Sequence, residues 1–449
     1  MVTHASNSSR LADDINEDLQ RTAPRPRTLA ETGLSQTFLA ELTAKHLLNA
    51  GVLNLSELSA RLCLPTRIIE SLLQFMRQEA RVEVMAPEKP NGGLRYQLTD
   101  RGRNGALDAS MRSGYTGPAP VPLQDYARVV RAQSVHDRGI TKDDMQHAFD
   151  GIVVREHLLD ELGPSLNSGR AIFVYGPAGT GKTFIAQKLA RLFREQTLIP
   201  HAVAINETVI SVFDPVAHQT ILLDDQKDGG VMEAGHDARY VCCERPVVVA
   251  GGELTVDMLE VQYDASAREH RAPLQLKANN GLLMIDDMGR QRSDPATIFN
   301  RWIVPMEEKV DYLSLGAGRH FTVPFDVVLI FSTNLHPLEL ADEAFLRRIG
   351  YKIELSYLNK DQYRNIWQDV CREYGIVFDD QILEFVLTEL HEKEQVGLLP
   401  CHPRDLLGMA VDLTTYLGEP RQLTKAQMRW AWKNYFVPLK RYEAQVSHT

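Results

Sequence analysis

The stretch AIFVYGPAGTGKT, Ala171 to Thr183, places three glycines, a lysine and a threonine where an apolar run gives way to an amphipathic one. The spacing GxxxxGK[ST] suits the binding of a chain of phosphates. The loop from Pro177 through Ala178, Gly179, Thr180 and Gly181 to Lys182 offers its backbone N–H groups to the phosphate oxygens. Gly176, Gly179 and Gly181 supply backbone angles and a close approach that a side chain would block. Lys182 adds a point positive charge for the terminal phosphates, and the Thr183 hydroxyl can ligate Mg²⁺. The helix that follows, FIAQKLARLF, brings its N-terminal partial positive charge. A surface turn with incidental glycines is the alternative, but it lacks a reason for the strand before and the helix after.

Four more clusters could complete such a site. Gly281 to Gly289 reads GLLMIDDMG, an apolar strand ending in two carboxylates. At the carboxyl edge of a sheet, Asp286 would hold Mg²⁺ through water and Asp287 would polarise an attacking water. Read alone, solvated strand ends look the same. Val327 to Leu335, VVLIFSTNL, ends at Asn334. Its amide can orient a lytic water, or it is a turn residue that stops the strand. In DEAFLRRIGYKIEL, Asp342 to Leu355, Arg347 and Arg348 either support a helix end or form an arginine finger that reaches a neighbouring subunit's nucleotide. In HPRDLL, Arg404 opens a helix and can bridge a lid to phosphate.

The elements that would position these groups follow from texture. Residues 1–30 are polar and read as a disordered tail. Residues 31–115 carry three helical patterns, SQTFLAELTAKHLLNAG, NLSELSARLCL and PTRIIESLLQFMRQEA. Two β-type runs, RVEVM and LRYQLTD, follow around the turn-rich APEKPNGG, in the order of a winged helix. The Pro-rich TGPAPVPL begins a linker over 116–140. Residues 141–355 alternate strand and helix, which gives an α/β fold with a parallel sheet. From 356 to 449 only helical patterns remain, a small lid domain.

Composition bounds the setting. The chain has 449 residues, a net charge of −10 and 24% charged residues. That balance disfavours a globally electrostatic nucleic-acid binder. No apolar run approaches the ~20 residues of a membrane span, and the N-terminus lacks a secretory pattern. The five cysteines, Cys63, Cys242, Cys243, Cys371 and Cys401, lack zinc-type spacing and read as reduced thiols of a cytoplasmic protein.

The order of these features, phosphate loop, Asp-Asp strand, Asn-ended strand, Arg pair and helical lid with Arg, resembles the AAA+ ATPases over about Thr141 to Phe436. FDGIVV, from Phe149, looks like the segment that lies against adenine in that family. The resemblance implies ATP and Mg²⁺ as ligands, with Walker A at Gly176 to Thr183 and Walker B at Asp286 and Asp287. It also implies sensor 1 at Asn334, the finger at Arg347 or Arg348, sensor 2 at Arg404, and a homo-oligomeric ring, usually of six subunits. The run VDYLSLGAGRHFTVPFD before the Asn-ended strand is similar to the hairpin of MoxR-like branches, which faces partners or a central channel, with Arg319 and His320 at its tip. An ordinary solvated turn is the alternative. The set RYQLTDRGR, GPAPVPL, GGEL, APLQLKANNG, DDMGRQ, NRWIVP and DEAFLRRI resembles bacterial AAA+ proteins described as predicted ATPases with chaperone activity associated with Flp pilus assembly. That resemblance implies a protein client, with pilus or secretion components as candidates.

Two departures qualify the resemblance. Most of the superfamily has Glu where Asp287 stands, so the base sits about one methylene back and slow hydrolysis is expected. About a hundred residues separate Thr183 from Asp286, and ILLDDQKDGG with RYVCCERPVVVAGGEL reads as a β-rich insertion. No aromatic-apolar-Gly threading tripeptide follows the second strand. A winged helix can read DNA through PTRIIESLLQFMRQEA, which leaves a DNA-bound regulator that uses ATP as a switch as the rival class. Residues 31–115 hold ten Lys and Arg against nine Asp and Glu, and that near-neutrality favours protein docking.

Overall fold

Ile172, Phe173 and Val174 of the strand that precedes the phosphate loop are buried, and the reason is its place inside a sheet. The structure, a computed structural model, describes residues 17–86, 93–137, 139–192, 196–221, 235–316 and 318–436. Seventeen strands among the described residues, β1 to β17 in chain order, form five sheets.

The central sheet is parallel, with order β10(Val247–Ala250), β13(Gly281–Ile285), β16(Val327–Thr333), β5(Ile172–Tyr175), β17(Tyr351–Glu354). Every residue of β13 and β16 is buried, as expected of strands covered on both faces. Alternation along each strand divides the side chains. Ile172, Val174, Leu282, Met284, Val328 and Ile330 pack with Leu158, Leu162 and Ile185. Phe173, Leu283, Ile285, Leu329 and Phe331 pack on the other face with Phe299, Trp302 and Phe345. Because the strands run parallel, all their carboxyl ends lie at one edge, where the chemical groups are.

The β10 strand corrects one expectation. VVVA does not belong to an insertion; it is the outer strand of the central sheet, paired in parallel with β13 from Val247↔Leu282 to Ala250↔Ile285. The additional β material is a separate mixed sheet of order β11(Gln262–Asp264), β12(Glu269–Arg271), β8(Thr208–Ser211), β7(Ala202–Ile205), β4(Val121–Pro122), with a ribbon of β6(Gln196–Pro200) and β9(Tyr240–Glu244). Of ILLDDQKDGG, all but Ile221 lies outside the described residues.

Two further expectations change. Residues 1–16 lie outside the described residues, but 17–30 are not a disordered tail: 17–22 are helical, and Leu19 and Ala23 are buried. Residues 116–140 are not a free linker. Val121–Pro122 joins the mixed sheet beside Val203 and Ala204, and Leu123–Ala132 is a helix with Tyr126, Val129 and Val130 buried. A buried ion pair, whose Asp237 N–H donates to the Ala23 carbonyl at 2.9 Å, helps to explain both. Arg239 and Asp237 meet at 2.7 Å with side chains 3% and 4% exposed, and Arg239 also donates to the carbonyls of Thr32 and Pro120. The guanidinium thus holds three distant segments at once, and removing one partner of such a pair costs about 3–5 kcal/mol.

The first unit has helices Gln36–Ala50, Leu55–Leu62 and Thr66–Gln78 and an antiparallel sheet of order β1(Val52–Asn54), β3(Arg95–Leu98), β2(Val82–Met85). The β2–β3 turn, residues 87–92, lies outside the described residues. Lys45 donates to the carbonyls of Ser113 and Tyr115, which ties the Gln36–Ala50 helix to the end of this unit. Before β16, β14(Val310–Ser314) and β15(His320–Pro324) form a hairpin. Its inward residues Leu313, Phe321 and Val323 pack into the mixed-sheet core, whereas Arg319 and His320 are exposed. The C-terminal helices Lys360–Tyr374, Asp380–Phe385, Cys401–Leu417 and Lys425–Tyr435, with a π-helical segment Val386–Glu392, share one core around Tyr363, Trp367 and Trp432.

Candidate active site

The phosphate loop leaves β5 and enters the helix Lys182–Leu189. Gly176 has φ +145°, Gly179 +85° and Gly181 +87°, so all three use angles that L side chains rarely adopt. A Cβ on Gly176 would stand 2.1 Å from the Leu355 carbonyl oxygen, because Leu355 continues β17 beside Tyr175. Pro177 has no N–H to offer a phosphate, and its carbonyl serves the lysine instead. Lys182 Nζ donates to the carbonyls of Gly176 at 2.9 Å and Pro177 at 3.0 Å, and to Asn334 Oδ1 at 2.6 Å. Thr180 Oγ1 donates to the Pro177 carbonyl across the loop. Ala178 and Gly179 are exposed.

Three clusters far apart in sequence meet here. Thr183 Oγ1 donates to Asp286 Oδ2 at 2.6 Å. Asn334 Nδ2 donates to Asp287 Oδ1 at 3.2 Å. Lysine, threonine, two carboxylates and the amide therefore form one connected set at the carboxyl edge of β5, β13 and β16. Burial pushes the Lys182 ammonium below the usual lysine range, against the opposing pull of Asp286 and Asp287. Among the described residues, no group of three or more His, Cys, Asp or Glu could hold a metal ion. The Thr183 hydroxyl and Asp286 carboxylate suit a hard divalent ion that keeps waters and shares the phosphates of a bound nucleotide.

Asp287 sits at φ +50°, a left-handed conformation that costs a non-glycine residue roughly 1–2 kcal/mol. Gln291 surrounds this turn: its Oε1 accepts from the Gly289 N–H at 2.8 Å, and its Nε2 donates to the carbonyls of Asp286 at 2.9 Å and Asp287 at 3.2 Å. Sequence reasoning missed Gln291 as a site residue. The only signal was its place in DDMGRQ, because a glutamine in the loop after a strand belongs to no periodic pattern.

The arginines divide. Arg348 is held within the chain by Glu307 at 2.6 Å and by the Ala344 carbonyl. Arg347 has a side chain 75% exposed, and its ion-pair partner is Glu343, one helical turn away at 3.3 Å. Arg404 forms a bidentate pair with Glu373, at 2.9 and 2.7 Å, inside the helical unit. The residues of the helical unit that meet Gly179 of the phosphate loop are instead Cys401, whose Sγ lies 2.5 Å from where a Gly179 Cβ would be, and Leu399, at 3.5 Å. In the FDGIVV segment Phe149 is a core residue. Arg155, just after it, donates to Ser356 Oγ at 2.8 Å and to the Glu354 carbonyl.

The fold and site define an α/β chain with a central five-stranded parallel sheet, a phosphate-type loop and a C-terminal helical unit. Residues 359–434 match the model of a domain of unknown function, DUF8689. No curated protein matches the chain. Among solved structures, the chain is similar to the Thermotoga maritima RuvB Holliday junction branch migration motor, at 13% identity over 62% of this chain and 68% of that one, with a TM-score of 0.36. A point mutant of the same RuvB matches at 12% identity over 63% and 71%, TM-score 0.38. NtrX from Brucella abortus matches at 13% identity over 65% and 58%, TM-score 0.40. No helix of the described residues is long and apolar enough to cross a membrane.

Proposed function

We propose that the chain binds ATP and hydrolyses it to ADP and phosphate as an AAA+ ATPase, and that it works as an oligomeric remodeller or assembly chaperone on a protein partner. The observation that carries this reading is the convergence of Lys182, Thr183, Asp286, Asp287 and Asn334 on one sheet edge. Backbone N–H groups from Ala178 to Lys182 and the Lys182 ammonium would neutralise the phosphate chain. Thr183 and Asp286 would hold Mg²⁺, which when bound would supply charge neutralisation for the phosphates. Asp287 would accept a proton from a water that Asn334 orients. The water oxygen bonds to the γ-phosphorus while the bond from that phosphorus to the β–γ bridging oxygen breaks, and ADP leaves.

A partner subunit would complete the site with Arg347, whose exposure supports a role in trans; six subunits is the number implied by the family resemblance. The exposed face of the Thr66–Gln78 helix carries Arg67, Glu70, Ser71, Gln74, Arg77 and Gln78; two cations with a carboxylate among them are a sparse basic surface, which supports protein docking over DNA reading. The pilus or secretion client follows from resemblance alone. Steady-state ATP turnover tests the reading: Lys182→Ala is expected to abolish turnover, and a variant with wild-type turnover would refute the site. Capture of partners by Asp287→Asn in ATP, set beside salt-dependent duplex DNA binding by the full chain, separates a protein client from DNA.

A further inference from the structure

We propose that Gln291 is a positioning residue for nucleotide hydrolysis, holding the turn that aims Asp287; this rests on the ATPase reading above. The hydrogen bonds of its side chain fall on the turn from Asp286 to Gly289 and on the end of the neighbouring strand. Its Oε1 accepts from the Gly289 N–H, and its Nε2 donates to the carbonyls of Asp286 and Asp287 and reaches the Gly251 carbonyl at 3.4 Å. One amide therefore joins the turn after β13 to the loop after β10.

That turn is not an easy one for the backbone. Asp287 at φ +50° and Gly289 at φ +101° both use angles that L residues avoid. A Cβ on Gly289 would meet Leu340 at 2.7 Å and Leu335 at 3.0 Å. From the opposite side, Thr333 Oγ1 donates to the Met288 carbonyl at 2.7 Å, and the Met288 N–H donates to the Ser332 carbonyl at 2.8 Å. Gln291 and Thr333 thus clamp the turn from two sides, and the clamped turn leaves the Asp287 carboxylate facing Asn334 Nδ2.

The strand itself does not need this clamp, because β13 pairs along its whole length with β16 and across Leu282–Ile285 with β10. What the clamp sets is the backbone at the carboxylate. An aspartate has a single methylene between backbone and carboxyl, so a change of backbone angle at residue 287 moves the acid directly, with few side-chain torsions to absorb it. A misplacement of about 1 Å costs on the order of 100-fold in rate.

The test uses the full chain with Mg-ATP turnover, binding of a fluorescent ATP analogue and thermal melting. Gln291→Ala removes the clamp, and Gln291→Glu keeps its size but loses the donors. Both are expected to lower kcat by about 10- to 100-fold while the analogue's Kd and the melting temperature stay at wild-type values. In an Asp287→Asn background, Gln291→Ala is expected to lower kcat no further, since Gln291 acts through Asp287. Wild-type kcat in both single variants would overturn the proposal. So would a matching rise in Kd, or an equal further loss in the Asp287→Asn background. Failure of the ATPase reading itself has a different sign: Lys182→Ala would then turn over ATP like the wild type.

Discussion

Replacing Gly176 with alanine separates the demands that the phosphate loop places on its glycines. The new Cβ would lie 2.1 Å from the Leu355 carbonyl oxygen and 3.0 Å from its carbonyl carbon. Carbon and oxygen in contact need ~3.2 Å or more, so loop or strand must yield by about 1 Å; overpacking of this kind costs roughly 1–3 kcal/mol. The φ of +145° adds a backbone cost on the order of 1–3 kcal/mol. Together they amount to about 2–6 kcal/mol, a large share of a domain's net stability of ~5–15 kcal/mol. Gly181 provides the control. It has φ +87° but nothing within 4 Å of its Cβ position, so Gly181→Ala should cost only the backbone term, roughly 1–2 kcal/mol. Urea denaturation gives both stabilities, and binding of a fluorescent ATP analogue reports the loop. Gly176→Ala should lose more stability than Gly181→Ala and bind nucleotide more weakly. If the two variants were equally stable, the close approach of Gly176 to Leu355 would not constrain the loop.

Arg347 and Arg348 should behave differently. Arg348→Ala removes a partly exposed ion pair with Glu307 and should cost about 1 kcal/mol or less with turnover retained. Arg347→Ala should leave stability unchanged and reduce turnover by on the order of 1,000-fold or more. Arg347→Ala subunits mixed with Asp287→Asn subunits should regain part of the activity, and no recovery in verified mixed oligomers would count against action in trans. Burial depresses His201 and His402 to about 4. Between pH 6.5 and 4 the unfolded chain therefore binds protons that the folded chain does not, and stability falls as pH drops through that window. Each histidine contributes at most about 1.4 kcal/mol per pH unit. Urea midpoints across this range should show a shallower acid limb in His201→Gln, and an unchanged slope would remove His201 from the account.

The phosphate loop was legible because its function depends on neighbours along the chain: Gly176, Gly179, Gly181, Lys182 and Thr183 must be close in sequence for one loop to wrap phosphates. Asp286 and Asn334 were legible at one remove, since an apolar strand that ends in a polar group marks the edge of a sheet. The chain order does not separate VVVA from an insertion, because it lies in the long stretch between Thr183 and Asp286 and a four-residue strand has too little pattern to reveal which sheet it joins. Val121 and Pro122 were harder still: two residues carry no periodicity, and only pairing with Val203 and Ala204 makes them a strand.

What the chain order already dictated is the kind of chemistry, because glycine angles, a lysine charge and carboxylates at strand ends are properties of residues and their immediate neighbours. The folded arrangement alone decided which groups are free to act. Arg348 is occupied because the Pro295–Glu308 helix brings Glu307 to it, Arg404 because Glu373 faces it across two lid helices, and Asp287 takes a left-handed turn braced by Gln291 and Thr333. Hydrogen bonds and ion pairs form over a few ångströms of space, and distance along the chain does not determine who meets whom.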